Sequence, residues 1–280
     1  MPQREGAGDG SGIAVSGRAK LFKRSTVIAC LILMSGCAQA APQTRGGLIG
    51  PAKYTDIESY ATVVNAGSSD GYTVFEGRSV AVTVRPDSSA RVVITHTSPP
   101  GFENAHERLR WIAARRPQFP RDLPAGTNIP LRAGSFSFLP FPPRLSFRQV
   151  VALGPSSGRI TSAVMGNPQP PAPSAHAFYL AMQLATLLAI APVSAPVRHA
   201  AWNTLVSLPG IHACGGGRDS AGRGGLWMCL RTPPDELRIL TSARERRVLC
   251  VKELLIAPSL RYPGVPAGSV IESNTYVAHR

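Results

Sequence analysis

The fold turns on Ile211-His212-Ala213-Cys214-Gly215, the turn Arg218-Asp219-Ser220-Ala221-Gly222-Arg223-Gly224, and the run Leu226-Trp227-Met228-Cys229-Leu230-Arg231. Two short apolar runs flank a stretch dense in glycine, with one acidic residue that can accept bonds from its own backbone. This is the pattern of a β-hairpin. Pro233-Pro234 then turns the chain into Glu236–Thr241, Ala243–Arg246 turns it into Arg247–Ile256, and a further strand is read over Ser269–Ala278. The C-terminal third is therefore an antiparallel meander, and it ends inside a strand-like pattern, as a truncated chain would.

Working back from the hairpin, Pro209-Gly210 stops a helix whose residues Val197, Ala201, Leu205 and Leu208 form one apolar stripe. Ser194 is placed to cap it, with Pro196 in its first turn. Before it lies a strongly apolar helix, His176–Ala191, opened by Ser174. With Gln183 inside it and a length short of about 20 residues, it reads as a buried core helix rather than a membrane span. The punctuating run at 166–173 separates it from the N-terminal half.

In that half, Val74, Val80, Val82 and Val84 share one face of a strand over Thr73–Arg85, and Pro86-Asp87-Ser88-Ser89 turns it into Ala90–Thr97. Tyr54–Asn65 is read as a short helix and Glu103–Arg116 as another. Residues 117–143 hold seven prolines and read as irregular covering loop. Leu145–Leu153 and Arg159–Val164 read as a second hairpin around Gly154-Pro155-Ser156-Ser157-Gly158. The expectation is an α+β domain over 54–280: a curved antiparallel β-sheet, half-barrel-like, with a helix pair packed on one face.

The N-terminus carries the clearest functional signal. Lys20, Lys23 and Arg24 precede the apolar run Val27–Met34, and small residues follow through Ala41. This is the layout of an export signal. Two cleavage readings stand. Leu33-Met34-Ser35-Gly36-Cys37 resembles a lipobox, which would make Cys37 the site of lipidation; Ala38-Gln39-Ala40 is an A-x-A site for plain secretion. An uncleaved membrane anchor over 26–41 is the third. Residues 1–25 are then an extension upstream of the true start or a disordered tail, and 42–53 a flexible tether.

The formal net charge is +14. Residues 1–36 supply five basic against two acidic side chains, so most of the excess belongs to the remainder. A basic exported domain is drawn to anionic headgroups or acidic wall polymers. The cations are scattered rather than clustered into a nucleic-acid footprint, so no nucleic acid is expected as partner.

Of five cysteines, Cys30 lies in the apolar run and Cys37 in the lipobox. In a hairpin centred between Ala221 and Gly222, Cys214 lies opposite Cys229, and an oxidising compartment would allow them to pair. Two small buried thiols are the alternative. A zinc site that uses His212 lacks paired Cys spacing, so no metal and no cofactor are expected. Gly154–Gly158 matches G-x-S-x-G literally, but the strand read after it is not the helix a nucleophile elbow needs. His106-Glu107 lacks the second His of a zincin, and the glycines of 215–225 lack the Gly-Lys-Ser/Thr ending of a phosphate loop. No paired acids or activated nucleophile emerge, and the expectation is that the chain is not an enzyme.

The run Ala200-Ala201-Trp202-Asn203-Thr204-Leu205-Val206-Ser207-Leu208-Pro209-Gly210-Ile211, followed by Asp219-Ser220-Ala221-Gly222-Arg223-Gly224-Gly225, resembles an uncharacterised actinobacterial family of membrane-tethered extracytoplasmic proteins. These pair a helix ending in Leu-Pro-Gly with a D-x-x-G-R-x-G hairpin. Arg85-Pro86-Asp87-Ser88-Ser89 and Glu107-Arg108-Leu109-Arg110-Trp111 are similar to its N-terminal half, while Ser242–Arg247 stands where an acidic-Pro-x-Thr-Gly turn is usual. The resemblance implies a non-enzymatic envelope protein, in some cases encoded near sigma-factor genes. Its sheet would be similar to the half-barrels of LolA-like and RseB-like lipoprotein-handling proteins.

Two functional expectations follow. The first is a lipoprotein of the extracytoplasmic membrane face whose apolar concave sheet binds an apolar or lipidic ligand. The second is a protein-interaction module that regulates an envelope stress or sigma-factor pathway.

Overall fold

The computed structural model describes residues 51–64, 72–102, 105–114, 123–166, 173–242, 244–262 and 265–279. The export segment, Cys37 and most of the expected tether lie outside them. Nine strands form one open antiparallel sheet: β1 (Ala52–Val64), β2 (Tyr72–Val84), β3 (Ala90–Thr97), β4 (Asn128–Leu131), β5 (His212–Arg218), β6 (Gly224–Thr232), β7 (Asp235–Ser242), β8 (Arg247–Leu255) and β9 (Val270–His279). Their order across the sheet is β4-β3-β2-β1-β9-β8-β7-β6-β5. The C-terminal strand β9 therefore closes onto β1 and joins an N-terminal hairpin layer to the meander. Five helices accompany it among the described residues: α1 (Ala105–Ala113), α2 (Phe147–Val151), α3 (Ser157–Met165), α4 (Pro173–Ile190) and α5 (Ala195–Val206). The chain is α+β, with a curved sheet that does not close and helices packed upon it.

Alternation within β1 and β2 defines an inner face. On β2, Val80, Val82 and Val84 point inward with Tyr54 of β1 across from Val82, and they join one core with Ile239, Val251 and Tyr276. Onto this face α4 lays Leu184, Leu187 and Leu188, all essentially inaccessible. Full burial of each such side chain is worth about 1.5–3 kcal/mol. The helix is apolar on every side because α3 and α5 cover the flank turned away from the sheet, through Ile160, Val164, Val197, Ala201 and Leu205. Gln183, 1% exposed, gives its amide N–H to the carbonyls of Phe141 (3.0 Å) and Val164 (3.1 Å), while its Oε1 accepts from Phe141 N–H (3.4 Å). The polar residue in the apolar helix is thus fully used as a strap. No helix among the described residues is long and apolar enough to cross a membrane.

Three readings of the sequence are corrected. Tyr54–Asn65 is not a helix: its described part belongs to β1, which begins at Ala52, takes in the last two residues of the expected tether, and pairs along its length with β2. The expected hairpin over 145–164 is two helices. Ser146 and Gln149 form a reciprocal capping box that starts α2, with Ser146 N–H to Gln149 Oε1 at 2.9 Å and Gln149 N–H to Ser146 Oγ at 3.4 Å. In α3, Ile160 and Val164 recur at helical spacing and are both fully buried. Finally, the proline-rich stretch contains β4, whose Pro130 is tolerated because β4 is an edge strand.

Candidate functional site

Gly154–Gly158 is followed by α3, which is the helix the strand reading denied it, but α2 precedes it. The strand-to-helix turn of a nucleophile elbow is therefore absent for a different reason from the one expected.

Cys214 and Cys229 are disulfide-bonded, with Cα atoms 5.9 Å apart, inside the usual 4.4–6.8 Å range. The register differs from the symmetric one expected. His212 pairs with Cys229, Ala213 with Met228 and Gly215 with Trp227, so Cys214 occupies a β-bulge. The residue opposite Cys229 is thus His212, two positions before Cys214, and Cys214 reaches Cys229 from the bulge, next to Gly215 with its φ of +122°. Cys250 is a buried thiol outside the disulfide, and burial pushes its pKa up.

The 219–223 turn is a closed clasp. Asp219 Oδ1 accepts the N–H groups of Ala221 (3.0 Å) and Arg223 (2.9 Å), and its Oδ2 pairs with the Arg223 guanidinium at 2.6 Å. Arg223 also donates to the carbonyl of Leu249 on β8 (3.1 Å), and Ser220 Oγ donates to Thr275 on β9 (3.0 Å). The D-x-x-G-R-x-G pattern thus folds the hairpin tip back across its own sheet.

The least expected feature is a layer of carboxylates on the inner face, beyond the part that α4 covers. Cross-strand register places Glu76, Tyr60, Glu272 and Glu253 in one row, from β2 through β1 and β9 to β8. The next row is Arg78, Glu58 and Asn274, and the next is Val80, Asp56 and Tyr276. With Asp235 beside them, six of the chain's 16 acidic residues gather here in a protein of net charge +14. The Arg78 guanidinium pairs with Glu58 Oε2 at 2.7 Å, both side chains under 10% exposed. Thr62 Oγ1 donates to Glu76 (3.0 Å), Asn274 Nδ2 to Glu272 (3.1 Å), and Arg261 pairs with Glu253 (3.2 Å).

Asp56 marks the border between this layer and the apolar core. Its Oδ1 is buried, without a hydrogen-bond partner among the described residues. Burial, then Glu58 and Glu272, hold its carboxyl well above the ordinary range against the opposing pull of Arg78. Burial likewise raises Tyr54 and Tyr276 on either side of it, and pushes Tyr262, beside Arg261, up to about 12. The neutral form of Asp56 is thereby favoured, while Glu58 is ion-paired with Arg78. Among the described residues no group of three or more His, Cys, Asp or Glu side chains is arranged to hold a metal ion.

The layer was missed because β1 was read as a helix. Read as a strand, Asp56, Glu58, Tyr60 and Thr62 alternate onto one face, which is the signal that could have found it. The expected apolar concave face is therefore apolar over one half only, and α4 fills that half.

No family model matches the chain, and no curated protein matches it significantly.

Proposed function

We propose that this chain is a non-catalytic protein-interaction module of the cell envelope, held at the extracytoplasmic face of the membrane through Cys37 or the apolar segment around it. The observation that carries this reading is α4. A carrier of acyl chains needs a hollow against the sheet, whereas α4 occupies the apolar half of the inner face with Leu184, Leu187 and Leu188. An open curved sheet filled by its own helix supports a rigid display platform better than a lipid container. The disulfide between Cys214 and Cys229 suits an oxidising compartment, in line with the export signal. Two arginine–carboxylate pairs of the inner layer, Glu58 with Arg78 and Glu253 with Arg261, favour a structural use of these acids over a catalytic one. The resemblance to a family encoded near sigma-factor genes makes a membrane-embedded anti-sigma factor the first partner to test.

The test is purification from detergent-solubilised native membranes, followed by mass spectrometry of both protein and lipid. The expected result is co-purification of an anti-sigma factor without enrichment of any lipid. A stoichiometric lipid in place of a protein partner would overturn the reading in favour of the carrier.

A further inference from the structure

The start of β1, the β2–β3 turn and the strap between β4 and α2 meet at one end of the sheet. Ala52 pairs with Val84, and Lys53 with Thr83 and His279. The strap is stitched to the turn by backbone bonds, Gly134 N–H to Asp87 O (2.9 Å) and Phe136 N–H to Ser88 O (3.1 Å), and by Phe147 N–H to Ser88 Oγ (2.7 Å). Ser88, buried with φ of +60°, is the pivot.

This arrangement gathers cations that are scattered in sequence. Lys53, Arg85, Arg91, Arg132, Arg144 and Arg148 are all exposed at this end. Among the described residues of the 85–89 turn, the carboxylate is Asp87, which accepts the Ser89 N–H at 2.9 Å. The carboxylate layer does not cancel them: its nearest members, Asp56 and Glu58, lie level with Val80 and Arg78, four and six residues along β2 from Val84, about 13 and 20 Å away at strand spacing. At physiological salt the screening length is about 8 Å, so that layer, largely buried and partly paired with Arg78 and Arg261, does little to the field at the basic end.

The chain enters the sheet at this basic end. Ala52 lies only 15 positions after Cys37, a reach of about 50 Å fully extended. An anchored protein therefore keeps this end within about 50 Å of the bilayer, where clustered Lys and Arg are attracted to anionic headgroups.

We propose that the end of the sheet formed by the 85–89 turn and the 132–148 strap is a membrane-docking face that seats on anionic phospholipid headgroups. This rests on the export and anchoring reading for the leash, but the face can be tested separately from it.

The experiment uses the protein isolated from its own membranes and reconstituted with phosphatidylcholine vesicles, or with vesicles in which part of that lipid is replaced by phosphatidylglycerol. Flotation reports the anchor, and hydrogen–deuterium exchange reports the face. The expected result is exchange slowed several-fold in residues 85–91 and 132–148 on phosphatidylglycerol vesicles only. The protection is expected to disappear in high salt and in the Arg91→Gln/Arg132→Gln/Arg148→Gln variant, whose exposed substitutions leave the circular dichroism unchanged. Flotation with both vesicles but no protection overturns the docking face and leaves the anchor standing. Failure to float on neutral vesicles, with protection retained on anionic ones, supports the face and removes the anchor. Protection confined to the acidic half, or equal protection by soluble polyglutamate, overturns the membrane as its occupant.

Discussion

Arg78 and Glu58 face each other across β2 and β1, and the guanidinium Nε and Nη2 both lie 2.7 Å from Glu58 Oε2. Each side chain is less than a tenth exposed, and the Arg78 guanidinium also lies 5.9 Å from the centre of the Tyr60 ring. A buried pair of this kind adds little net stability over apolar residues of the same shape, but the loss of one partner strands a charge.

The expected outcome is strongly non-additive. Arg78→Met should destabilise the fold by about 3–5 kcal/mol, whereas Arg78→Met combined with Glu58→Leu should recover most of that loss. Urea unfolding of the two single variants and the double variant measures the coupling. Additive losses would show that the pair is not the unit described.

Asp56 gives a pH dependence with a definite sign. Its folded carboxyl titrates above the ordinary value of 3.8, so the folded state holds a proton that the unfolded state has released. Stability from this group is complete below the ordinary value and is lost as pH rises toward the folded one. Asp56→Asn should therefore raise the melting temperature at neutral pH and flatten its decline with rising pH, as followed by circular dichroism. On the opposite face of the sheet, Glu236 behaves in the opposite sense. Burial alone would raise it, but Arg231 and Arg238 outweigh burial and hold it low, so its contribution fades as pH falls below its ordinary value.

The Asp219 clasp is local and separable from the layer. Asp219→Ala leaves two backbone N–H groups and the Arg223 guanidinium without this acceptor, and should cost about 1–3 kcal/mol. Amide exchange should rise around 219–223 and at Thr275, while the N-terminal hairpin is unaffected.

What the sequence made legible follows from which faces are apolar. β2, the meander, α4 and α5 were readable because their inward residues are Val, Leu, Ile and Ala at regular spacing. β1 was not, because its buried face carries Asp56, Glu58, Tyr60 and Thr62, and a polar inner face hides the period of two. The α2–α3 pair was obscured by the β-branched run Ile160-Thr161 and by glycines at both ends of 154–158, although Ser146 and Gln149 already spelled a capping box. The cysteine pairing was legible but its register was not, since a bulge at Cys214 leaves no trace in hairpin symmetry. The clustering of Lys53, Arg85, Arg132 and Arg148 needs the strap to be folded onto the turn, and no local pattern announces it.

For the anchor, metabolic labelling with a palmitate analogue in wild type and Cys37→Ala is the direct check. The expected outcome is loss of both label and membrane association in the variant. Unchanged labelling would remove Cys37 from the account.

Whether the domain works outside the cytoplasm is tested most directly by the thiol state of the protein in its own cells. Cells are quenched in acid, the chain is denatured and alkylated without reduction, and its peptides are weighed. The account predicts Cys214 and Cys229 joined and unmodified, with Cys250 alkylated. Alkylation of all three would place the domain in a reducing compartment and contradict it.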